Sequence, residues 1–274
     1  MSTPTNLSEQ HRQTQREKPL VNAITNNVTV NQVANIILHW GGLPVMSDDI
    51  RELDEMVSIS GACLLNMGTV SETGEEAMIR AGEAARQNDV PLVIDPVGAG
   101  ATETRTRIAT RLADDLPVSI LNGNRGEIAA IAGKEANVQG VESVGDHPEI
   151  AETAMACARQ IDAIVVASGA TDIVASTQTT YEITAGDELM STVVGTGCML
   201  GGTLAAFAGG SDDYLSAALA GTLAFGLAGE AAVDEYGTVH GPGSYEPAFR
   251  DAAANFSPDK IDSHSNRITP ILQE

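Results

Sequence analysis

The sequence predicts a three-layer αβα fold on a mostly parallel central sheet, and three observations carry that prediction. Short apolar runs rich in Leu or β-branched residues recur along the interior. Helically spaced segments alternate with them. Aromatic residues make up only 3% of the chain, so Ala, Val, Ile and Gly must fill the core. Brief apolar runs alternating with helices are the pattern of parallel strands buried on both faces and joined by right-handed crossovers.

Residues 1 to about 18 are polar and read as a helix or a loose arm. The runs Ala62–Asn66, Pro91–Asp95, Val118–Asn122 and Ala163–Ala167 are strand candidates. Helical spacing precedes the last three, over Glu75–Asn88, Arg105–Leu116 and Glu149–Ile161. Asp172–Ala175 and Tyr181–Ile183 are short enough for an antiparallel edge. Two long Ala-rich helices follow, near Cys198–Ala208 and Asp213–Glu230, with small residues that allow close packing. Beyond Phe256 the chain is polar and reads as a peripheral tail over about 257–274. With no linker-like stretch and no repeat, one domain over 1–274 is the economical division.

The charge balance excludes several partners. Fifteen basic residues face 37 acidic ones, a net charge of −22, and the only lysines are Lys18, Lys134 and Lys260. Such a surface repels nucleic acid and anionic membranes. Acid excess with lysine depletion points to adaptation to high salt, where the Debye length shrinks to roughly 3 Å and self-repulsion is muted. Cys63, Cys157 and Cys198 form a sparse, odd set without C-x-x-C spacing, which suits a reducing cytoplasm better than a disulfide framework or zinc site. No apolar run approaches the roughly 20 residues needed to cross a bilayer, and the polar start lacks a signal-peptide core, so a soluble cytoplasmic protein is expected.

Ligands of such sheets bind at the carboxyl ends of the strands, which draws attention to Asn66, Asp95, Asn122 and Ser168. Asp95-Pro-Val-Gly-Ala-Gly-Ala101 combines a strand-end acid with a glycine-rich turn, able to hold a metal ion beside phosphate-binding amides; a plain βα turn explains it equally well. Glu127, early in a helix after Asn122-Gly-Asn-Arg-Gly, is ordinarily explained by the helix dipole. A second acid approaching Asp95 would suit Mg²⁺, which takes few protein carboxylates. The strongest element is Val194-Gly-Thr-Gly-Cys-Met-Leu-Gly-Gly202, where Gly195 and Gly197 open the amides of a helix N-terminus to an anion. Cys198 falls in that first turn, where the dipole should lower its thiol pKa from about 8.5. A small residue packed beneath the loop is the plainer reading. There is no Walker-A sequence, and no histidine lies in a recognisable catalytic context.

Together these motifs resemble the hydroxyethylthiazole kinase family. The resemblance rests on Ile24-Thr-Asn-Asn-Val28 with Ala34-Asn35, Gly41-Gly-Leu-Pro-Val-Met46, Leu65-Asn-Met-Gly-Thr69 and Asp95-Pro-Val-Gly-Ala-Gly-Ala-Thr102. It continues through Gly123-Asn-Arg-Gly-Glu127, Gly195-Thr-Gly-Cys-Met199, Gly229-Glu230 and Gly241-Pro-Gly-Ser244, in order from about residue 19 to 255. It implies a ribokinase-like fold and transfer of the ATP γ-phosphoryl group to the primary alcohol of 4-methyl-5-(2-hydroxyethyl)thiazole. It further implies thiazole contacts at Asn26, Met46 and Gly195, magnesium at Asp95 and Glu127, and Cys198 where many ribokinase-like enzymes carry an Asp base. A homotrimer with sites at subunit interfaces is also implied. Two positions depart from the family pattern: Asn122 stands where an Arg usually binds ATP phosphate, and Ser168 replaces the Thr of a nucleotide-contacting T-G. Arg125, three residues on, is the candidate substitute cation. Rival readings are a hydroxymethylpyrimidine kinase, an ADP-forming NAD(P)H-hydrate dehydratase, or a catalytically silent binder. The first two usually carry Asp at the Cys198 position.

The charge balance yields a direct expectation. Dialysis from molar salt into dilute buffer should unfold the protein, read by far-UV circular dichroism; full retention of the signal would refute salt adaptation.

Overall fold

Successive side chains of a strand point to opposite faces of its sheet, and the strands here show apolar residues on both. In Ala62–Asn66, Ala62 and Leu64 join one core while Cys63 and Leu65 join the other. Val93 faces the first core and Leu92 and Ile94 the second; Val166 and Val174 repeat the pattern against Val165, Ala167, Ile173 and Ala175. Two apolar faces require two helical layers. The αβα expectation holds.

The computed structural model describes residues 4–133 and 147–273. The chain runs α1 (Ser8–Glu17), β1 (Leu20–Ile24), α2 (Val30–His39), β2 (Leu43–Val45), α3 (Leu53–Ser58) and β3 (Ala62–Asn66). It continues α4 (Glu72–Gln87), β4 (Leu92–Asp95), α5 (Glu103–Asp115), β5 (Val118–Asn124), α6 (Arg125–Ile131), α7 (His147–Ile161) and β6 (Ile164–Ser168). The last part holds β7 (Asp172–Ala175), β8 (Thr179–Ile183), α8 (Thr196–Ala208), α9 (Tyr214–Asp234), α10 (Pro242–Ala254), α11 (Asp259–Ser263) and β9 (Ile268–Gln273).

The sheet has nine strands in the order β2-β1-β3-β4-β5-β6-β7-β8-β9. Neighbours from β2 to β6 pair in parallel, and β7, β8 and β9 add antiparallel. After β2 the chain crosses β1 to continue at β3, so the switch point lies at the carboxyl ends of β1 and β3. That is where such a sheet offers a crevice.

One core contains residues of α2, α8, α9 and α10; the other contains residues of α3 to α7. Helix α8 lies on the sheet with glycine against its neighbours: a Cβ at Gly202 would sit 3.1 Å from Ile36 Cγ2 of α2. Small residues thus let α8 approach both α2 and the strand ends. Helix α9 is long and apolar enough to cross a membrane on length and composition alone, contrary to the expectation that no run comes near. It is instead a core helix, its residues from Ser216 to Gly229 all buried.

The N-terminal segment takes the helical of its two sequence readings, whereas the C-terminal segment departs from its own. Of the N-terminal segment, residues 1–3 lie outside the described residues; the rest is not loose, because α1 docks through Leu7, His11 and Thr14. The segment read as a polar tail supplies α11 and the edge strand β9, paired to β8 from Ile183↔Ile268 to Thr179↔Gln273. The polar residues lie mainly before β9, whose Ile271 and Leu272 pack against the second core while Pro270 suits an edge position. Ser8 Nα–H donates to Asp262 Oδ1 at 3.1 Å, tying the two ends together.

His11 is fully buried against Trp40, Phe207 and Phe256, with ring centroids 5.4, 5.4 and 5.9 Å away. Neither ring nitrogen has a hydrogen-bond partner. Burial pushes its pKa down to about 4, against a smaller opposing pull from the Trp40 backbone. A depressed histidine gives stability that is complete above its unfolded pKa and is lost as pH falls toward the folded one. Thermal stability should therefore decline between pH 6.5 and 4. His11→Leu should flatten part of that decline; identical profiles for both proteins would exclude the mechanism.

Candidate active site

The carboxyl ends of β1, β3, β4 and β5 meet the N-terminus of α8. Strand register places Asn66 directly opposite Asp95, and Asn66 Nδ2 donates to Asp95 Oδ2 at 2.6 Å. Asn66 Oδ1 accepts from Asn26 Nδ2 at 2.9 Å and from the Gly68 amide at 3.0 Å. Asn26 Nδ2 also lies 2.8 Å from Thr29 Oγ1 and 3.4 Å from Cys198 Sγ. A buried polar path therefore runs from the Cys198 thiol through two asparagines to the Asp95 carboxylate. Asn26 Oδ1 meanwhile accepts from the Val28 and Thr29 amides, fixing the turn that leads into α2.

Helices α4, α5, α6 and α9 begin with side-chain caps from Ser71, Thr102, Asn124 and Asp213. Helix α8 begins with Gly195, which offers none. Gly195 has φ +93°, and a Cβ there would collide with Thr29 Cγ2. Gly197 is exposed with open space around it, so the first-turn amides face the site and the helix dipole favours an anion there. Thr196 Oγ1 turns away, donating to Met190 O at 2.7 Å.

Glu127 is the third residue of α6 and completes a capping box with Asn124. Its Oε2 accepts from the Asn124 amide and its Oε1 from the Gly98 amide, each at 2.7 Å. The second bond brings Glu127 to the loop that follows Asp95, so the dipole explanation and the paired-acid explanation hold together. Burial, then the charge of Glu127, hold the Asp95 carboxyl well above the usual carboxylate range; Asn66 opposes them. Burial raises Glu127 as well, against the pull of the Gly98 and Asn124 amides. Two buried acids that share too little positive charge fit a divalent cation. Among the described residues no cluster of three or more His, Cys, Asp or Glu is placed to hold a metal ion.

Cys198 reverses its expectation. The dipole was expected to lower its thiol pKa, but burial and then the negative charge of Asp95 push it up. Desolvation and a like-signed neighbour outweigh one helix terminus.

The remaining candidates divide into two groups. Asn122 is buried in the acid group, its Nδ2 3.3 Å from Gly197 O and its Oδ1 without a partner. Met46, at the end of β2, is partly buried against the α2–α8 core. Ser168 and Arg125 gather instead at the β6–β7 turn. Ser168 Oγ donates to Gly123 O at 3.3 Å; Arg125 Nη2 donates to Thr171 O at 3.1 Å and its side chain lies against Gly169. Asp172 Oδ1 accepts from the Gly169 amide at 3.0 Å and shapes that turn. Sequence reasoning marked Asn66 as a strand-end residue without giving it a role, and left Thr29 outside the site. Asn66 carried a signal, since it ends an apolar run as Asp95 does; Thr29 carried none.

Similarity to known proteins agrees with this geometry. The protein is 11% identical to a solved ribokinase-like superfamily protein from Enterococcus faecalis, with TM-score 0.65 over 94% of this chain and 92% of that one. That likeness shows the fold, and the class is ribokinase-like. A solved hydroxyethylthiazole kinase protein from Pyrococcus horikoshii is 31% identical, with TM-score 0.87 over 97% of this chain and 99% of the other. Hydroxyethylthiazole kinases of Haloquadratum walsbyi and Natronomonas pharaonis are 64% and 62% identical, covering 96% and 93% of this chain and 92% and 91% of theirs. The model of the hydroxyethylthiazole kinase family matches residues 12–259, and the chain belongs to that family.

The raised thiol pKa makes a checkable statement. Cys198 should alkylate with iodoacetamide at pH 8 several-fold more slowly than free cysteine, measured by peptide mass spectrometry. Faster labelling would show that the dipole wins after all.

Proposed function

We propose that this protein transfers the γ-phosphoryl group of ATP to the hydroxyl of 4-methyl-5-(2-hydroxyethyl)thiazole, giving the thiazole phosphate used in thiamine biosynthesis or salvage. The observation that carries this reading is the hydrogen-bonded path from Cys198 through Asn26 and Asn66 to Asp95, ending beside the uncapped N-terminus of α8. In this reading the acceptor-side residues, the acid pair and the uncapped helix end lie side by side. Family membership supplies the identity of the alcohol.

Phosphoryl transfer needs mainly positioning and charge neutralisation. Asn26, Met46 and the Gly195 turn would hold the thiazole. The amides from Gly195 to Cys198 would receive the charge of the transferring group, with Gly197 leaving them open. Asp95 and Glu127 would hold Mg²⁺, which when bound neutralises phosphate charge. Ser168 and Arg125 would take the nucleotide at the β6–β7 turn, so Arg125 would supply the cation that Asn122 does not. Cys198, kept a neutral thiol by burial and then by Asp95, would accept a hydrogen bond from the acceptor hydroxyl, and would act as a base only through its thiolate, the form those same groups disfavour.

The same reading includes a cytoplasmic, salt-adapted homotrimer. Val28 and Val194 are 65% and 70% exposed on the two turns that carry Asn26 and Gly195, an apolar rim suited to a neighbouring subunit. All three cysteines are free and buried, which suits a reducing compartment.

Purified protein in molar salt with ATP, Mg²⁺ and the thiazole alcohol should yield the thiazole phosphate, followed by mass spectrometry. Folded protein that gives none would leave a silent binder as the reading. Cys198→Ala should lower turnover by roughly 10²-fold or less, and Cys198→Asp should be tolerated; a folded but dead Cys198→Asp would remove the base role.

A further inference from the structure

Arg105 takes no part in the scheme above. Other arginines on this side of the molecule pair with exposed or half-buried acids: Arg80 with Asp54, and Arg107 and Arg111 with Glu75. Arg105 turns inward from the first turn of α5. Its Nη1 donates to Met67 O at 3.0 Å and Val97 O at 2.7 Å, and its Nη2 donates to Gly68 O at 2.9 Å. One planar cation thus bridges the loop after β3 to the loop after β4.

Both loops end on functional groups. Gly68 donates to Asn66 Oδ1, and a Cβ on Gly68 would lie 2.7 Å from Asn26 Cβ, so the first loop is packed against the acceptor-side asparagines. Val97 immediately precedes Gly98, whose amide holds Glu127. Gly98 has φ +81°, and a Cβ there would lie 2.9 Å from Arg105 Cδ, so the second loop is folded directly over the arginine. Thr102 Oγ1 accepts from the Arg105 amide at 3.2 Å and fixes the base of the side chain.

We infer that Arg105 is a positioning residue: by clamping the carbonyls of Met67, Gly68 and Val97 it sets the spacing between the Asn26–Asn66 pair and the Asp95–Glu127 acids. This rests on the proposed function for what those residues bind. A guanidinium presents several donors in a rigid fork, whereas a lysine ammonium is a single point charge on a flexible stem and cannot span the two loops in one plane.

The test compares wild type with Arg105→Lys and Arg105→Gln, with Arg80→Gln as a surface control, all in molar salt. If the fork sets the spacing, both Arg105 variants should lower kcat/KM by roughly 10²-fold. The acceptor KM and the Mg²⁺ concentration for half activity should rise together, Lys should be no better than Gln, and Arg80→Gln should match wild type. The rate of Cys198 alkylation by iodoacetamide should also change several-fold in the Arg105 variants, because Asn26 would no longer be held against the thiol. That readout needs no activity, so if wild type makes no thiazole phosphate the functional reading fails while the clamp is still judged. A Lys variant with wild-type constants would overturn the inference, as would unchanged constants and alkylation beside a lowered Tm. Should Arg105→Gln not fold, Gly98→Ala intrudes on the same side chain without removing it and is judged by the same readouts.

Discussion

The site is built around a buried negative charge that the chain does not itself neutralise. Asp95 and Glu127 both lie in low-dielectric surroundings that oppose their ionisation, and the charge of Glu127 adds to the cost at Asp95. In a protein of net charge −22 the surface adds no relief. Neutral or partial charges therefore carry most of the compensation, with the Arg105 charge favouring ionised Glu127 from a distance. An asparagine amide points at Asp95, backbone amides point at Glu127, and an arginine locks the loops without touching either carboxylate. The arrangement leaves a deficit that a cation and an anionic nucleotide could fill together.

That constraint accounts for features that look unrelated along the chain. Asn66 must end β3 beside the last residue of β4, which a parallel register provides. Helix α8 must start with glycine, because a capping side chain would occupy its amides and any Cβ at Gly195 would strike Thr29. Cys198 sits where the polar path meets the helix end, and burial first, then the charge of Asp95, raises its thiol pKa. An Arg at position 122 would enter this packed group beside Gly197 and Gly201. The cation is instead carried on α6, with Arg125 directed to the β6–β7 turn.

Helix packing serves the same end. Two Ala- and Gly-rich helices let α8 descend onto the strand ends until Gly201 faces Asp95 Oδ2, where a Cβ would lie 3.4 Å away. Bulkier residues would lift the glycine loop off the acids. The scarcity of aromatics thus bears on the site as well as the core; Trp40, Phe207 and Phe256 cluster where α1 closes over them, and Phe225, Tyr245 and Phe249 between α9 and α10.

Local chemistry made much of this legible in the sequence. The runs ending at Asn66 and Asp95 gave strands at their observed positions, since apolar runs flanked by turn residues have one economical fate in an α/β protein. The ordered motifs gave the family, because residues that handle a ligand must keep both type and order. What the sequence could not carry was anything set by contacts between distant segments. The three-residue β2 is too short to stand out, and β9, Ile268–Gln273, is interrupted by Pro270 at the end of an otherwise polar segment. The Cys198 pKa depends on burial beneath other segments, which outweighs the dipole visible in the local pattern. Arg105 reads as one more arginine on an amphipathic helix; only folding brings three carbonyls from two other loops within its reach. Sequence alone determined the layers, the strand-end acids and the family, all encoded within short stretches of chain. Tertiary structure alone decided the protonation, the clamp and the closure of the termini, because each is an interaction between groups the sequence keeps far apart.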